Sequence, residues 1–249
     1  MTLRSKLASL RERVLSSTHC RYHAFGGHEP FVSVCFDDFP HTAYRTGSSI
    51  LRNFGLKGTY YVALGLMNKS NGTGRYFEID DLHSLLEDGH ELASHTYSHI
   101  SSRRAPLPVF RHDATRGREA LLEMNLPVSG NFAYPYGEVT IAAKQALGEV
   151  MTSCRGIYGG INGPRVDLNL LRANRLYGNL EALSRIEDLL SLNEAHKGWA
   201  IFYTHDVSEH PSQFGCTPRL LEAFVSRALK GGNRILTIAE VLADRGLHN

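Results

Sequence analysis

Apolar residues come in short, nearly continuous runs, separated by segments in which they return every three or four positions. The runs Phe31–Phe36 (FVSVCF), Thr59–Leu64 (TYYVAL), Glu91–Ser94, Asn131–Tyr134, Val150–Cys154, Trp199–Thr204 (WAIFYT) and Arg234–Thr237 are too short for helices, and most are rich in β-branched and aromatic residues. They predict strands. The intervening period predicts helices over Ala43–Phe54, Glu78–Asp88, Pro108–Met124, Val139–Leu147, Glu181–Ala195, Pro218–Leu229 and Ile238–Ala243. Strands that are apolar at consecutive positions are buried on both faces, as in a parallel sheet covered by helices. About seven strand–helix alternations in this length predict an α/β fold of one domain, a barrel closed or nearly closed by α/β units. No G-x-G-x-x-G follows the first strand, which argues against an open dinucleotide-binding sheet.

Composition narrows the partners. The 249 residues carry 27 Lys+Arg against 25 Asp+Glu, a formal charge of +2, so there is no general electrostatic reason to expect nucleic acid or an anionic membrane. No stretch is apolar enough to span a bilayer, and Arg11, Glu12 and Arg13 break the place where a secretory h-region would lie. Residues 1–29 therefore read as an N-terminal helical extension packed on the barrel, and residues 30–249 as the catalytic domain of a protein expected in the cytoplasm. Cys20, Cys35, Cys154 and Cys216 form no CxxC pair and read as free thiols. Thirteen histidines are about twice the usual share and point to metal or acid–base chemistry.

That chemistry gathers at strand ends. The first strand runs into Asp37-Asp38-Phe39-Pro40, two carboxylates where barrel folds place reactive groups, although such a pair can also cap a helix. After the third run comes His95-Thr96-Tyr97-Ser98-His99, whose i, i+4 imidazoles face one point if the segment turns helically. Two such nitrogens and a carboxylate from another strand make a metal-ligand set with open positions. His90-Glu91-Leu92-Ala93-Ser94-His95 resembles a zinc-protease H-E-x-x-H but places its second histidine one residue late, so His90 and Glu91 read as structural. Phe132-Ala133-Tyr134-Pro135-Tyr136-Gly137 forms a loop able to aim backbone N–H groups at an oxyanion, and His205 tips the strand ending Tyr203-Thr204.

With these residues in this order, the chain resembles the polysaccharide deacetylases of carbohydrate esterase family 4, the NodB-homology domain, over roughly Pro30 to Leu242. The T-F-D-D-G motif is similar to Cys35-Phe36-Asp37-Asp38-Phe39, H-[ST]-x-x-H to His95–His99, P-Y-G to Pro135-Tyr136-Gly137, and L-x-H to Tyr203-Thr204-His205. The resemblance implies a distorted (β/α)7 TIM-like barrel in a single domain. It implies one divalent metal, zinc by ligand type, held by Asp38, His95 and His99, with Asp37 as general base, the Tyr136 N–H at the oxyanion and His205 as general acid. The substrate it implies is an acetylated amino sugar, a glycan or its precursor, with Phe39, Tyr134 and Pro135 as candidate contacts and Tyr44, Tyr136 and Phe214 as further aromatics near the mouth.

The sequence departs from the family in four places. Phe39 replaces the motif glycine, Ala133 stands where many members carry an arginine that pairs with the base, and Tyr203 replaces leucine. The family's aspartate-containing motif, which orients the acid histidine, has no match, Asp167 and Arg175 being the nearest candidates. An O-acetyl esterase, a non-sugar amidase and a catalytically silent carbohydrate-binding protein are the competing readings. Nothing in the sequence specifies an oligomeric state.

Overall fold

The computed structural model describes residues 3–71 and 74–247. Seven parallel strands curl into a half-barrel: β1 (Phe31–Asp37), β2 (Thr59–Val62), β3 (Glu91–Ser94), β4 (Asn131–Ala133), β5 (Ser153–Arg155), β6 (Asn174–Arg175) and β7 (Trp199–Thr204), in the order β6-β7-β1-β2-β3-β4-β5. An eighth short strand, β8 (Arg234–Ile235), pairs with the start of β1. Between β5 and β6 the chain bridges the open side, because Leu171 accepts from Gly156 N–H at 3.0 Å and donates to the Cys154 carbonyl at 2.8 Å.

Helices cover the outside: α1 (Leu3–Ser17), α2 (Ser49–Asn53), α3 (Ile79–Glu87), α4 (Leu107–Glu123), α5 (Ile141–Gly148), α6 (Leu183–His196), α7 (Pro218–Lys230) and α8 (Ile238–Asp244). The single helix expected over Ala43–Phe54 is instead a wide π-helical turn, Ala43–Ser48, running into the short α2. Tyr44, Thr46, Gly47 and Ser48 are weak helix formers. Gly47 is also drawn so close to the Phe36 ring that a Cβ there would lie 2.8 Å from it.

The strand period sorts side chains into two layers. Along β1, Val32, Val34 and Phe36 pack outward in the core shared with α6 and α7, while Phe31 and Cys35 point into the barrel with Tyr61, Ile201 and Tyr203. Asp37 has the inward parity, so the carboxylate at the end of β1 faces the barrel mouth.

The N-terminal end of the barrel is closed by polar groups. Buried Glu91 accepts from the Thr59 hydroxyl (2.8 Å), the Ala239 N–H (2.9 Å), the Ser129 hydroxyl (2.6 Å) and Asn131 Nδ2 (2.7 Å), tying β2, β3 and β4 to α8. His90 beside it accepts the Gly58 N–H on Nδ1 at 2.9 Å, and burial pushes its pKa down to about 4. Both residues are thus spent on architecture. An unfolded histidine titrates near 6.5, so His90 contributes stability that is complete above that pH and lost as pH falls from 6.5 towards 4. At pH 5 the loss from this ring should be ~2 kcal/mol. Urea unfolding at pH 7 and pH 5 checks it: His90→Asn, which keeps an acceptor but cannot charge, should show a smaller acid-dependent loss than the parent. Equal losses would remove His90 as the cause.

Helix α1 is fastened by Lys144, whose fully buried ammonium donates to the Leu15 (2.6 Å) and Thr18 (2.8 Å) carbonyls and pairs with Asp167 at 2.6 Å. Tyr22–Ala24 then adds an antiparallel ribbon to Arg165–Asp167.

Candidate active site

The C-terminal strand ends surround a cavity of about 690 Å³. Asp37, Asp38, His95, His99, Tyr134, Tyr136 and His205 all line it, with Arg175, Tyr177, Tyr203 and Phe214. Consecutive residues of an extended strand point opposite ways, so Asp37 and Asp38 can share the cavity only if the chain turns between them. It does so by entering the left-handed region at Asp38 (φ 62°) and Phe39 (φ 58°). Thr96, His99 and Tyr136 also have positive φ, so five of the nine non-glycine residues with positive φ among the described residues belong to this site. Such conformations cost about 1–3 kcal/mol each and persist where surrounding contacts enforce them. At Phe39 the enforcing contacts are aromatic: the ring is wholly buried, stacked on Phe77 at 5.1 Å and tilted against Tyr60 at 5.1 Å.

The histidine segment is a loop rather than the helical turn its spacing suggests. Asp113 of α4 accepts the N–H groups of Tyr97 (3.1 Å) and Ser98 (2.9 Å) on one carboxylate oxygen. Gly117, one turn on, lets the helix approach so closely that a Cβ would lie 2.7 Å from the Thr96 carbonyl carbon. His95 Nδ1 donates to the Ala133 carbonyl at 2.7 Å, which turns Nε2 to the cavity. Burial lowers the His95 pKa to about 4, leaving the ring neutral, the form in which imidazole donates an electron pair.

Asp38 Oδ1 lies 2.9 Å from His99 Nε2 and 3.4 Å from His95 Nε2, and the three candidate ligand atoms fall within 4.8 Å of one another. This oxygen is buried and accepts no hydrogen bond of good geometry. Burial acts to raise the Asp38 pKa, but the His99, His95 and His205 imidazoles together outweigh it and hold the carboxyl well below its usual range. An ionised oxygen without a donor, facing a neutral imidazole and a second ring nitrogen, fits a divalent cation. No other metal-capable cluster of this kind occurs among the described residues.

His205 faces the triad from β7, with Nε2 3.9 Å from Asp38 Oδ2. Its Nδ1 lies 3.2 Å from the Phe214 carbonyl, so a main-chain oxygen orients this ring. Asp167 does not orient it, being committed to Lys144 and to the Arg21 N–H at 3.0 Å. Asp37 is ion-paired to Arg155, the last residue of β5, and both are almost fully buried. The Arg155 guanidinium lies over the Tyr61 ring at 4.6 Å and the Tyr203 ring at 5.0 Å. Burial opposes its charge, yet Asp37, Tyr61 and Cys35 outweigh burial and hold it still more firmly protonated than a free arginine. Two departures of the sequence thus resolve together: the arginine absent at Ala133 is supplied from the next strand, and Tyr203, in place of leucine, gives it a face to stack on.

A family model described as polysaccharide deacetylase matches residues 26–151, just over half of the 249 residues. The chain belongs to the polysaccharide deacetylase family. No curated relative matches its sequence. Among solved structures, the Xyl-CE4 domain of a multidomain xylanase from the hindgut metagenome of Trinervitermes trinervoides shares 17% identity, with 88% of this chain and 92% of that one covered and a TM-score of 0.56. A variant of the peptidoglycan deacetylase PdaC from Bacillus subtilis shares 12% identity over 88% and 92%, TM-score 0.56. The peptidoglycan N-acetylglucosamine deacetylase Bc1960 shares 15% over 86% and 88%, TM-score 0.55. At these identities the likeness is one of fold, and it is the half-barrel described above.

For a polysaccharide deacetylase the sequence misassigns two residues as substrate contacts. Phe39 has no exposed surface, and Pro135 is buried without lining the cavity. Both belong to the turns that carry their neighbours. Tyr134 borders the cavity but is only 2% exposed, its ring packed on Phe132 and Phe110, and Tyr44 is likewise a core residue. The exposed aromatics at the mouth are Tyr136, 54% exposed against His99, and Phe214, 42% exposed. Arg155 and Asp113 escape sequence reading. The one signal for Arg155 is a charge closing a strand-like run whose predicted end, Cys154, stops a residue short.

Proposed function

We propose that this polysaccharide deacetylase is a metal-dependent hydrolase that removes the N-acetyl group of an amino sugar. The observation that carries the reading is the gathering of Asp37 and His205 with the Asp38, His95 and His99 triad in one cavity. A divalent cation on that triad, zinc by its nitrogen and oxygen donors, supplies Lewis-acid polarisation of the acyl carbonyl and of water. Asp37, held by Arg155, takes the proton from the attacking water. The Tyr136 N–H, carried on its left-handed turn, is the donor for the oxyanion. His205, with Nδ1 anchored on the Phe214 carbonyl, gains a proton at Nε2 and hands it to the departing nitrogen. That step favours amides over esters, because an amine leaves poorly unless protonated whereas an alkoxide needs less help.

The test is acetate release from N-acetylhexosamine compounds and from O-acetylated sugars, with and without chelator. Chelator-sensitive acetate release matched by free amine is expected. Release from the esters alone would replace the reading with an O-acetyl esterase, and release from neither would favour a binding protein. The metal-site geometry gives a further expectation. Asp113→Ala frees the Ser98 N–H and leaves the Tyr97 N–H only the residue-113 main-chain carbonyl at 3.0 Å, loosening the histidine loop, so affinity for zinc, measured by competition with a chelating dye, should fall about 10–100-fold. An unchanged affinity would mean that the loop holds its shape without Asp113.

A reducing compartment, the cytoplasm, is proposed for the protein. All four cysteines are free and three are buried. No described helix is long and apolar enough to cross a membrane. Fractionation that recovers the protein only outside intact cells would overturn the proposal.

A further inference from the structure

A second cavity of about 490 Å³ opens beside the first and shares Ile157, Arg175 and Tyr177 with it. Its charge is one-sided. None of its ten lining residues is acidic and two are arginines, Arg175 of β6 and Arg185 of α6. Neither guanidinium has a carboxylate within ion-pair distance among the described residues. By contrast, the arginine inside the main barrel, Arg155, is neutralised by Asp37. Arg175 leans on the Tyr203 hydroxyl and borders both cavities. The Tyr177 ring forms the ridge between them, 6.0 Å from His205 and 6.2 Å from Phe214 by ring centroids. The second cavity therefore lies on the His205 side of the reacting centre.

We infer that this cavity is a subsite for an anionic substituent of the amino sugar, a phosphoryl or carboxylate group received by Arg175 and Arg185. The inference rests on the deacetylase reading for the identity of the sugar and goes beyond it in naming the charge the substrate carries. Planar guanidinium groups match the oxygens of phosphate and carboxylate in pairs of hydrogen bonds, and two cations without a carboxylate partner lose no ion pair when an anion arrives. The apolar wall of Ile157, Ile186 and Leu189 adds a low-dielectric side that strengthens the attraction.

Binding is measured first without turnover, by calorimetry with the metal-loaded protein. The probes are glucosamine, glucosamine 1-phosphate and muramic acid, all lacking the acetyl group. At low ionic strength at least one anionic sugar should bind ten or more times tighter than glucosamine, and salt should erode the difference. Tighter binding of the phosphate or of the carboxylate identifies which anion the site takes. Arg175→Gln with Arg185→Gln should bring the sugars with and without the anionic group within about twofold, and Arg185→Glu, which leaves Arg175 facing a carboxylate, should likewise abolish the preference. Equal binding in the parent, or a preference that survives the double replacement, overturns the subsite. Acetate release from the N-acetylated counterparts is read separately. Anion preference without acetate release would leave the subsite standing and refute the deacetylase reading. Acetate release with no anion preference would do the opposite.

Discussion

Asp37→Asn should retain bound metal and stay folded, at a stability lowered by the unpaired Arg155, while losing the roughly 10²–10⁴-fold that general base catalysis contributes, whereas Asp38→Ala should lose the metal together with the activity. The two residues are adjacent, and only the left-handed turn at Asp38 lets both reach the cavity. Their surroundings differ. Asp38 presents an oxygen with no hydrogen-bond donor to His95 and His99, so removing it deletes a candidate ligand. Asp37 has its charge matched by Arg155, and an asparagine amide fills nearly the same volume but cannot take a proton. Metal content by elemental analysis and turnover on one N-acetylated substrate separate the roles. If Asp37→Asn turned over as fast as the parent across a range of pH, Asp37 would not be the base, whatever the metal content.

The elements that carry side chains to the mouth were legible because they use local signals. The apolar runs that become β1, β2 and β7 are buried on both faces, and their lengths and periods differ from those of the helices between them. The motif residues follow those strands directly, so placing the strands placed Asp37, Asp38, His95 and His205. Strand β6 was not legible, because Asn174–Arg175 is two polar residues whose strand geometry comes from pairing with β7. Arg155 and Asp113 were missed for a related reason. Their partners lie 118 and about 15 positions away, and nothing in a single sequence says that such a charge turns inward. Phe39 misled because a residue beside a reactive aspartate suggests the site. Its strained backbone serves the turn, and its ring serves the core.

Arg155 should have the largest effect on stability among the residues of the site. Arg155→Met keeps length and bulk between Tyr61 and Tyr203 but leaves the Asp37 carboxylate buried without a partner. Breaking a buried pair in this way costs about 3–5 kcal/mol. For a chain of this size that corresponds to a fall in Tm of roughly 6–20 °C. Arg155→Lys should recover part of the loss, since it restores a charge but cannot lie flat against two rings. The decisive comparison is the double replacement Arg155→Met with Asp37→Asn. With no charge left to bury, most of the lost stability should return, because replacing both members of a buried pair is often nearly neutral while removing one is not. Urea unfolding of the parent, both single variants and the double variant measures the coupling. A loss below about 1 kcal/mol for Arg155→Met, or no recovery in the double variant, would mean that water reaches and solvates the Asp37 carboxylate without Arg155.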